Sequence, residues 1–313
     1  MERRKVGTSE LAVSAVGLGC NNFGVRLDLE QARAVVHTAL DLGITLLDTA
    51  DSYGRRGGSE RMLGQVLGPR RKDVVLATKF GTAMDDDGRL KGASRGYIVS
   101  AVEASLRRLN TDWIDLYQLH WPDPTTPIEE TLRALDDLIR QGKVRWIGSS
   151  NMDRGQLIEA HRTALQHGLK RFVSAQNPYS LLQRDLERET IPAIEACGLG
   201  LLPYFPLASG LLTGKYRRDH IPDGTRLATP RPHEAVFRDE ADWATIDALD
   251  AYCRERGRTL LQLAFSWLLS RPVTASVIAG ATTPEQVRQN CAAARWTLTR
   301  EEQDDIDRLP RHR

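Results

Sequence analysis

Three apolar runs in the first 120 residues each stop on a side chain that does chemistry, and this repeated ending constrains the chain more than any other feature. Ile44 to Leu47 reads as a short buried strand that stops at Asp48, with Tyr53 five residues further on in a Gly-flanked loop. Val74 to Lys79 ends in a lysine and Ile114 to His120 in a histidine. Taken alone, such an aspartate serves equally well as a turn cap and such a tyrosine as a packing residue. Three consecutive strands with these endings instead point to a scaffold whose strand ends share one site.

The rest of the chain continues the alternation. After Asp28, a good N-cap, Leu29 to Leu42 has helical spacing and Gly43 ends it. Further helices are expected at Glu60 to Leu67, capped by Ser59, and at Ile98 to Leu109, Ile128 to Arg140, Gln156 to Gln166 and Asp185 to Cys197. Others follow at Trp243 to Arg254, Leu260 to Leu269, Pro284 to Ala294 and Glu301 to Leu309. Strands are expected at Ala15 to Cys20, Val144 to Ser149, Phe172 to Gln176, Leu199 to Tyr204 and Ala275 to Ile278, with a hairpin over Val6 to Val13. Eight strands with intervening helices and no linker describe a single α/β domain over residues 1–313: a (β/α)8 TIM barrel with an N-terminal β-hairpin and extra helices. Active sites in such barrels lie at the C-terminal strand ends, so Asp48, Lys79, His120, Asn151, Gln176 and Tyr204 should converge. The Gly-, Pro-, Arg- and His-rich segment from Pro206 to Asp239 lacks periodicity and reads as a long functional loop, its later part mobile.

Composition removes several classes. The 43 Lys and Arg against 41 Asp and Glu leave a formal net charge of +2, so no basic excess points to nucleic acid or an acidic membrane. No apolar run approaches the ~18 residues of a membrane span, and a cytoplasmic location is expected. Cys20, Cys197, Cys253 and Cys291 are far apart and suggest neither disulfide nor metal. Gly17-x-Gly19 is followed by Gly24 at the wrong spacing for a dinucleotide fingerprint, and Gly54 to Ser59 lacks the Gly-Lys-Ser/Thr of a P-loop. Asp85, Asp86 and Asp87 lack the ligand spacing of an EF-hand and read as a turn. His37, His161, His167, His220, His233 and His312 show no metal-ligand pattern and read as surface or packing residues, so no metal is expected.

The pattern Asp48-Thr49-Ala50-x-x-Tyr53-Gly54, with the strand-terminal Lys79 and His120, resembles the Asp, Tyr, Lys, His tetrad of the aldo-keto reductases. The resemblance continues through Gly148 to Asn151, Gln176 to Tyr179, Pro206 to Lys215 and Gly280 to Asn290, nearly the whole chain. It implies a reversible, nicotinamide-dependent reduction of an aldehyde or ketone. A phenol of ordinary pKa near ~10 needs help to act as an acid, and an adjacent Lys79 ammonium, held by Asp48, is expected to lower it. Tyr53 would then be the general acid in reduction and base in oxidation, with His120 hydrogen-bonding beside the same oxygen.

The resemblance further implies that Ser150, Asn151 and Gln176 hold the nicotinamide carboxamide and that Tyr204 stacks on its ring. Phe205 stands where a small hydroxyl residue is common. Leu207, Ser209 and Leu211 would meet the pyrophosphate, and Gly280, Thr282, Gln286, Gln289 and Asn290 the adenosine. Many members have a Lys or Arg near Thr282 or Gln286 and a carboxylate at the position of Gln289; NADPH is the expected cofactor here, with NADH less favoured. Asn21, Phe23 and Trp121 are expected around a small-molecule carbonyl substrate, with ordinary packing the competing role for each. A cofactor-binding regulatory protein resembling potassium-channel β subunits is the alternative reading, since fold does not fix function.

Overall fold

Each short strand is followed by an amphipathic helix that carries the chain back to the same edge, which forces successive strands to lie parallel. The computed structural model describes residues 1–230, 232–239 and 241–309, without side chains at 232–234. A hairpin of β1 (Arg3–Lys5) and β2 (Ala12–Ser14) comes first. The strands β3 (Val16–Gly19), β4 (Leu46–Asp48), β5 (Val75–Phe80), β6 (Ile114–Leu119), β7 (Val144–Ser150), β8 (Ser174–Gln176), β9 (Gly200–Leu201) and β10 (Val277–Gly280) then form one parallel sheet. Its order is β10-β3-β4-β5-β6-β7-β8-β9. The two ends meet: the Ala275 N–H donates to the Leu201 carbonyl at 2.9 Å and the Ile278 N–H to that of Pro203 at 3.0 Å. The (β/α)8 architecture expected from the sequence is therefore present.

Helices α1 (Leu29–Asp41), α2 (Tyr53–Leu67, interrupted by left-handed backbone from Gly54 to Gly57), α3 (Arg95–Leu109), α4 (Ile128–Arg140), α5 (Arg154–Gln166) and α6 (Thr190–Ala196) follow β3 to β8 in turn. After β9 come α7 (Pro232–Asp239), α8 (Trp243–Glu255) and α9 (Leu260–Leu269), and after β10 come α10 (Pro284–Ala293) and α11 (Arg300–Arg308). Capping boxes start α1 at Asp28, α5 at Asp153, α9 at Thr259 and α11 at Thr299. Each satisfies two backbone donors that a helix start otherwise leaves bare.

The two faces of the sheet do different work. Leu46, Ala77, Leu116, Leu202 and Ile278 pack inside the barrel with Val6, Leu11 and Val13 of the hairpin segment, which seals the N-terminal end. The opposite face packs beneath the helices in the larger core. Because strand side chains alternate, Asp48, Lys79 and Gln118 continue the inward rows of Leu46, Ala77 and Leu116 toward the C-terminal mouth.

Four local expectations change. The seventh barrel strand shrinks to Gly200–Leu201, and Pro203, with no N–H to donate, lies just beyond it. The helix expected at Asp185 to Cys197 divides into a 3-10 turn at Asp185–Glu187 and α6, with Pro192 at the third position of α6. Ser59 caps nothing; its buried hydroxyl donates to the Cys20 carbonyl at 2.9 Å and shares a hydrogen bond with Thr49 at 2.8 Å. Finally, Pro206 to Asp239 is not wholly irregular, since it holds a 3-10 segment at Ala208–Thr213 and α7. Of the histidines, His312 and the side chain of His233 lie outside the described residues, and the later part of this segment includes Arg231, which does too.

Candidate active site

The turn that leaves β4 sets the geometry. Gly54 adopts φ +68°, and a Cβ there would lie 2.4 Å from the Ser59 nitrogen and 2.6 Å from the Phe23 carbonyl oxygen, so only glycine lets the chain fold back this tightly. Tyr53, just before it, is thereby placed over the end of the neighbouring strand. There Lys79, fully buried, directs Nζ to Asp48 Oδ2 at 2.7 Å, the Thr49 carbonyl at 2.9 Å and the Tyr53 hydroxyl at 3.5 Å.

Asp48 is held from its other side as well. Its Oδ1 accepts from Gln176 Nε2 at 2.9 Å and from Gln118 Nε2 at 3.4 Å. A buried carboxylate–ammonium pair survives desolvation only when its remaining lone pairs and protons are also satisfied, and the two glutamines and the Thr49 carbonyl do this. Burial acts to lower the Lys79 pKa, but Asp48 and Tyr53 outweigh it and lift the pKa above its ordinary value. Lys79 is thus a firmly held cation.

The balance at Tyr53 differs from the sequence expectation. Burial is the largest influence on the phenol and pushes its pKa up; Lys79 pulls it down without overcoming that rise, leaving it above the ordinary value. Lys79 restrains the increase rather than producing a decrease. The His120 ring sits edge-on to Tyr53, with centroids 5.8 Å apart and planes at 80°, and its Nδ1 lies 3.1 Å from Thr82 Oγ1. Burial, aided by Lys79, depresses the imidazole to about 3, so it is neutral at physiological pH.

The second group forms a chain of hydrogen bonds beside the first. Asn151, at φ +60°, donates from Nδ2 to the His120 carbonyl at 2.9 Å and accepts at Oδ1 from the Tyr204 hydroxyl at 2.7 Å. The Ser150 hydroxyl donates to the Gln176 carbonyl at 2.8 Å. Phe205 packs edge-on against Tyr204 at 5.1 Å and against Phe237 of α7 at 5.3 Å. Leu207 opens the 3-10 segment that contains buried Ser209 and Leu211.

On the far side of the mouth, exposed Gly280 abuts Asn21 and Asn22, and the Thr282 N–H and hydroxyl both donate to Gln286 Oε1. Asn290 is buried, whereas Gln289 is exposed and donates to Glu285 on the surface of α10. Arg288 also pairs with Glu285, at 3.3 Å.

Asn21 is half-buried, and Trp121 is 53% exposed with its ring stacked 6.5 Å from that of His120. Phe23, expected at the pocket mouth, is instead wholly buried in the core, where the turn over Gly54 covers it. Two residues of the site escaped sequence reasoning: Gln118, two positions before His120 on the same inward row, and Thr82.

A family model described as the aldo/keto reductase family matches residues 15–311. The chain belongs to that family. The aldo-keto reductase YhdN of Bacillus subtilis is 34% identical over 316 residues, spanning 99% of this chain and 93% of that protein. A protein described as an NADH-specific methylglyoxal reductase of Escherichia coli is 35% identical over 322 residues, spanning 96% and 95%. A probable voltage-gated potassium channel subunit beta of Oryza sativa is 37% identical over 303 residues, spanning 94% and 91%. Membership of the aldo/keto reductase family supports an oxidoreductase that acts on small molecules. Among the described residues, no helix is long and apolar enough to cross a membrane, and no group of three His, Cys, Asp or Glu side chains is placed to hold a metal ion.

Proposed function

We propose that this chain is an NAD(P)H-dependent carbonyl reductase, reversible as an alcohol dehydrogenase, in which Tyr53 is the general acid. The observation that carries the reading is the buried contact of Lys79 Nζ with both Asp48 and the Tyr53 hydroxyl. A carbonyl oxygen gains negative charge as its carbon is reduced. Tyr53 supplies the proton to that oxygen, the Lys79 cation stabilises the phenolate left behind, and neutral His120 offers a hydrogen bond without competing as an acid. With its raised pKa, Tyr53 keeps its proton at neutral pH, the state that reduction requires.

The residues around the tetrad fit a nicotinamide cofactor. Gln176 spends its side-chain N–H on Asp48, which leaves its side-chain Oε1 to accept from a carboxamide, and Tyr204 presents an aromatic face. Ser209 Oγ is buried with no hydrogen-bond partner among the described residues, a ready donor to a phosphate oxygen. We therefore assign the carboxamide end to Ser150, Asn151, Gln176 and Tyr204, and the pyrophosphate to the segment from Phe205 to Leu211. Gly280, Thr282, Gln286 and Asn290 take the adenosine, and the bound cofactor supplies the hydride. NADPH is the proposed form, and Trp121 and Asn21 the proposed walls for the substrate. The exposed tie of Gln289 to Glu285 makes Gln289 the weakest of the proposed contacts.

Similarity to proteins described as probable potassium channel β subunits supports a second reading, in which cofactor binding regulates a partner. Titrating the protein with NADPH and NADH by nicotinamide fluorescence, then following cofactor oxidation with aldehydes and ketones, separates the two. Tight binding with turnover is the expected result; tight binding without turnover on any carbonyl favours the regulatory role, and failure to bind either form defeats both.

A further inference from the structure

Thr82 lies just past the end of β5, where Gly81 turns the chain at φ +110°; a Cβ on Gly81 would press on Leu119 Cδ1 at 3.3 Å and the Gly92 carbonyl at 3.5 Å. The turn brings Thr82 beside the residue that follows the neighbouring strand. The His120 N–H donates to the Phe80 carbonyl at 2.9 Å, extending the β5–β6 pairing, and Thr82 Oγ1 meets His120 Nδ1 at 3.1 Å. Thr82 is held in turn by α3, since the Tyr97 hydroxyl donates to its carbonyl at 3.5 Å.

A neutral imidazole carries one proton on one of two nitrogens, and the group bonded to one nitrogen decides which. Among the described residues, no side chain besides Thr82 shares a hydrogen bond with either ring nitrogen of His120. A carbonyl oxygen has only lone pairs to offer, so the ring nitrogen that meets it must carry the proton. With Nδ1 occupied by Thr82, that nitrogen is Nε2, and the hydroxyl must then donate rather than accept.

We propose that Thr82 is a positioning residue: its hydroxyl donates to His120 Nδ1 and holds the ring as the Nε2–H tautomer that hydrogen-bonds the substrate carbonyl. The proposal rests on the reductase reading for its catalytic consequence but not for the tautomer itself. The test uses 15N-labelled full-length protein, with the His120 tautomer read from two-bond 15N–1H correlations in wild type, Thr82→Val and Thr82→Ser. The wild type should show Nε2–H alone. Thr82→Val should show a mixture and a kcat on a small aldehyde reduced about tenfold, the loss of one hydrogen bond, with cofactor Kd unchanged. Thr82→Ser, which keeps the hydroxyl, should restore both. An Nδ1–H tautomer in the wild type, or pure Nε2–H in Thr82→Val, overturns the proposal. If the tautomer follows the substitutions but the wild type reduces no carbonyl, the reductase reading falls and the hold of Thr82 on the ring stands.

Discussion

Asp51 offers a test of the electrostatics behind the site. Asp51 is 1% exposed, and among the described residues neither carboxyl oxygen makes a hydrogen bond of good geometry, although the Ser52 N–H and the Tyr97 hydroxyl lie close to it. Burial first, and then Glu60 from α2, drive its pKa from 3.8 to about 8, against the weaker pull of Arg108 from α3, the Ser52 N–H and Lys79 from β5. Tyr97 of α3 and Tyr117 of β6 also lie within its influence, and both phenols are raised. The folded protein therefore holds this proton over a pH range in which the unfolded chain, at the ordinary value, has released it. Between about pH 4 and 8 the folded state binds the extra proton, so stability falls as pH rises through that window and the loss is complete above it. Four pH units at 1.36 kcal/mol each give a total of roughly 6 kcal/mol, of which about 2 kcal/mol falls between pH 6 and 8. Asp51→Asn keeps the shape and removes the titration. Urea unfolding of both proteins at pH 6, 7 and 8 isolates the contribution, because groups that titrate alike in both cancel in the difference. The stability of the variant relative to wild type should improve by about 2 kcal/mol from pH 6 to 8. A difference that stays constant across this range would show that Asp51 is ionised throughout or already paired, and would refute the reasoning.

Other consequences can be measured with the same protein. Tyr53→Phe should bind cofactor nearly as wild type does yet lose most turnover, roughly a hundredfold or more for loss of a general acid; undiminished kcat would sink the assignment. In the reductive direction the pH profile should show no limb between pH 5 and 8 from His120, which titrates near 3, and a decline only above the ordinary phenol range, because the Tyr53 pKa is raised. A limb near pH 6.5 that vanishes in His120→Gln would contradict the depressed imidazole. Arg108→Met strands Glu60, fully buried and otherwise held by Arg108 Nε at 2.6 Å and Thr78 Oγ1 at 2.6 Å, and should cost about 3 kcal/mol in urea unfolding. A loss below about 1 kcal/mol would mean that Glu60 finds water or a proton instead.

What could be read before the structure was known, and what could not, follows from the period of a strand. Asp48, Lys79 and His120 announce themselves because each ends an apolar run, and the alternating rows that contain Asp48 and Lys79 point into the barrel. Gln118 obeys the same rule, two residues before His120, but it lies within its run rather than at the end, and a buried glutamine among leucines gives no signal until Asp48 is known to face it. Thr78 and Tyr117, paired across β5 and β6 and one step out of phase with Lys79 and Gln118, point the other way. There they meet α2 and α3, where Thr78 binds Glu60 and where Asp51 is enclosed. This second polar cluster is built by helix packing, and no spacing along the chain encodes it. The same is true of Thr82, whose value lies in a turn set by Gly81 and in a histidine 38 residues away. Strand periodicity thus reveals groups on the barrel's inner face, while Thr82, Glu60 and Asp51 meet their partners only through tertiary packing. Perturbing Thr82 therefore probes the setting of His120, and perturbing Asp51 the polar cluster on the other face of the sheet, neither of which substitutions within the tetrad address.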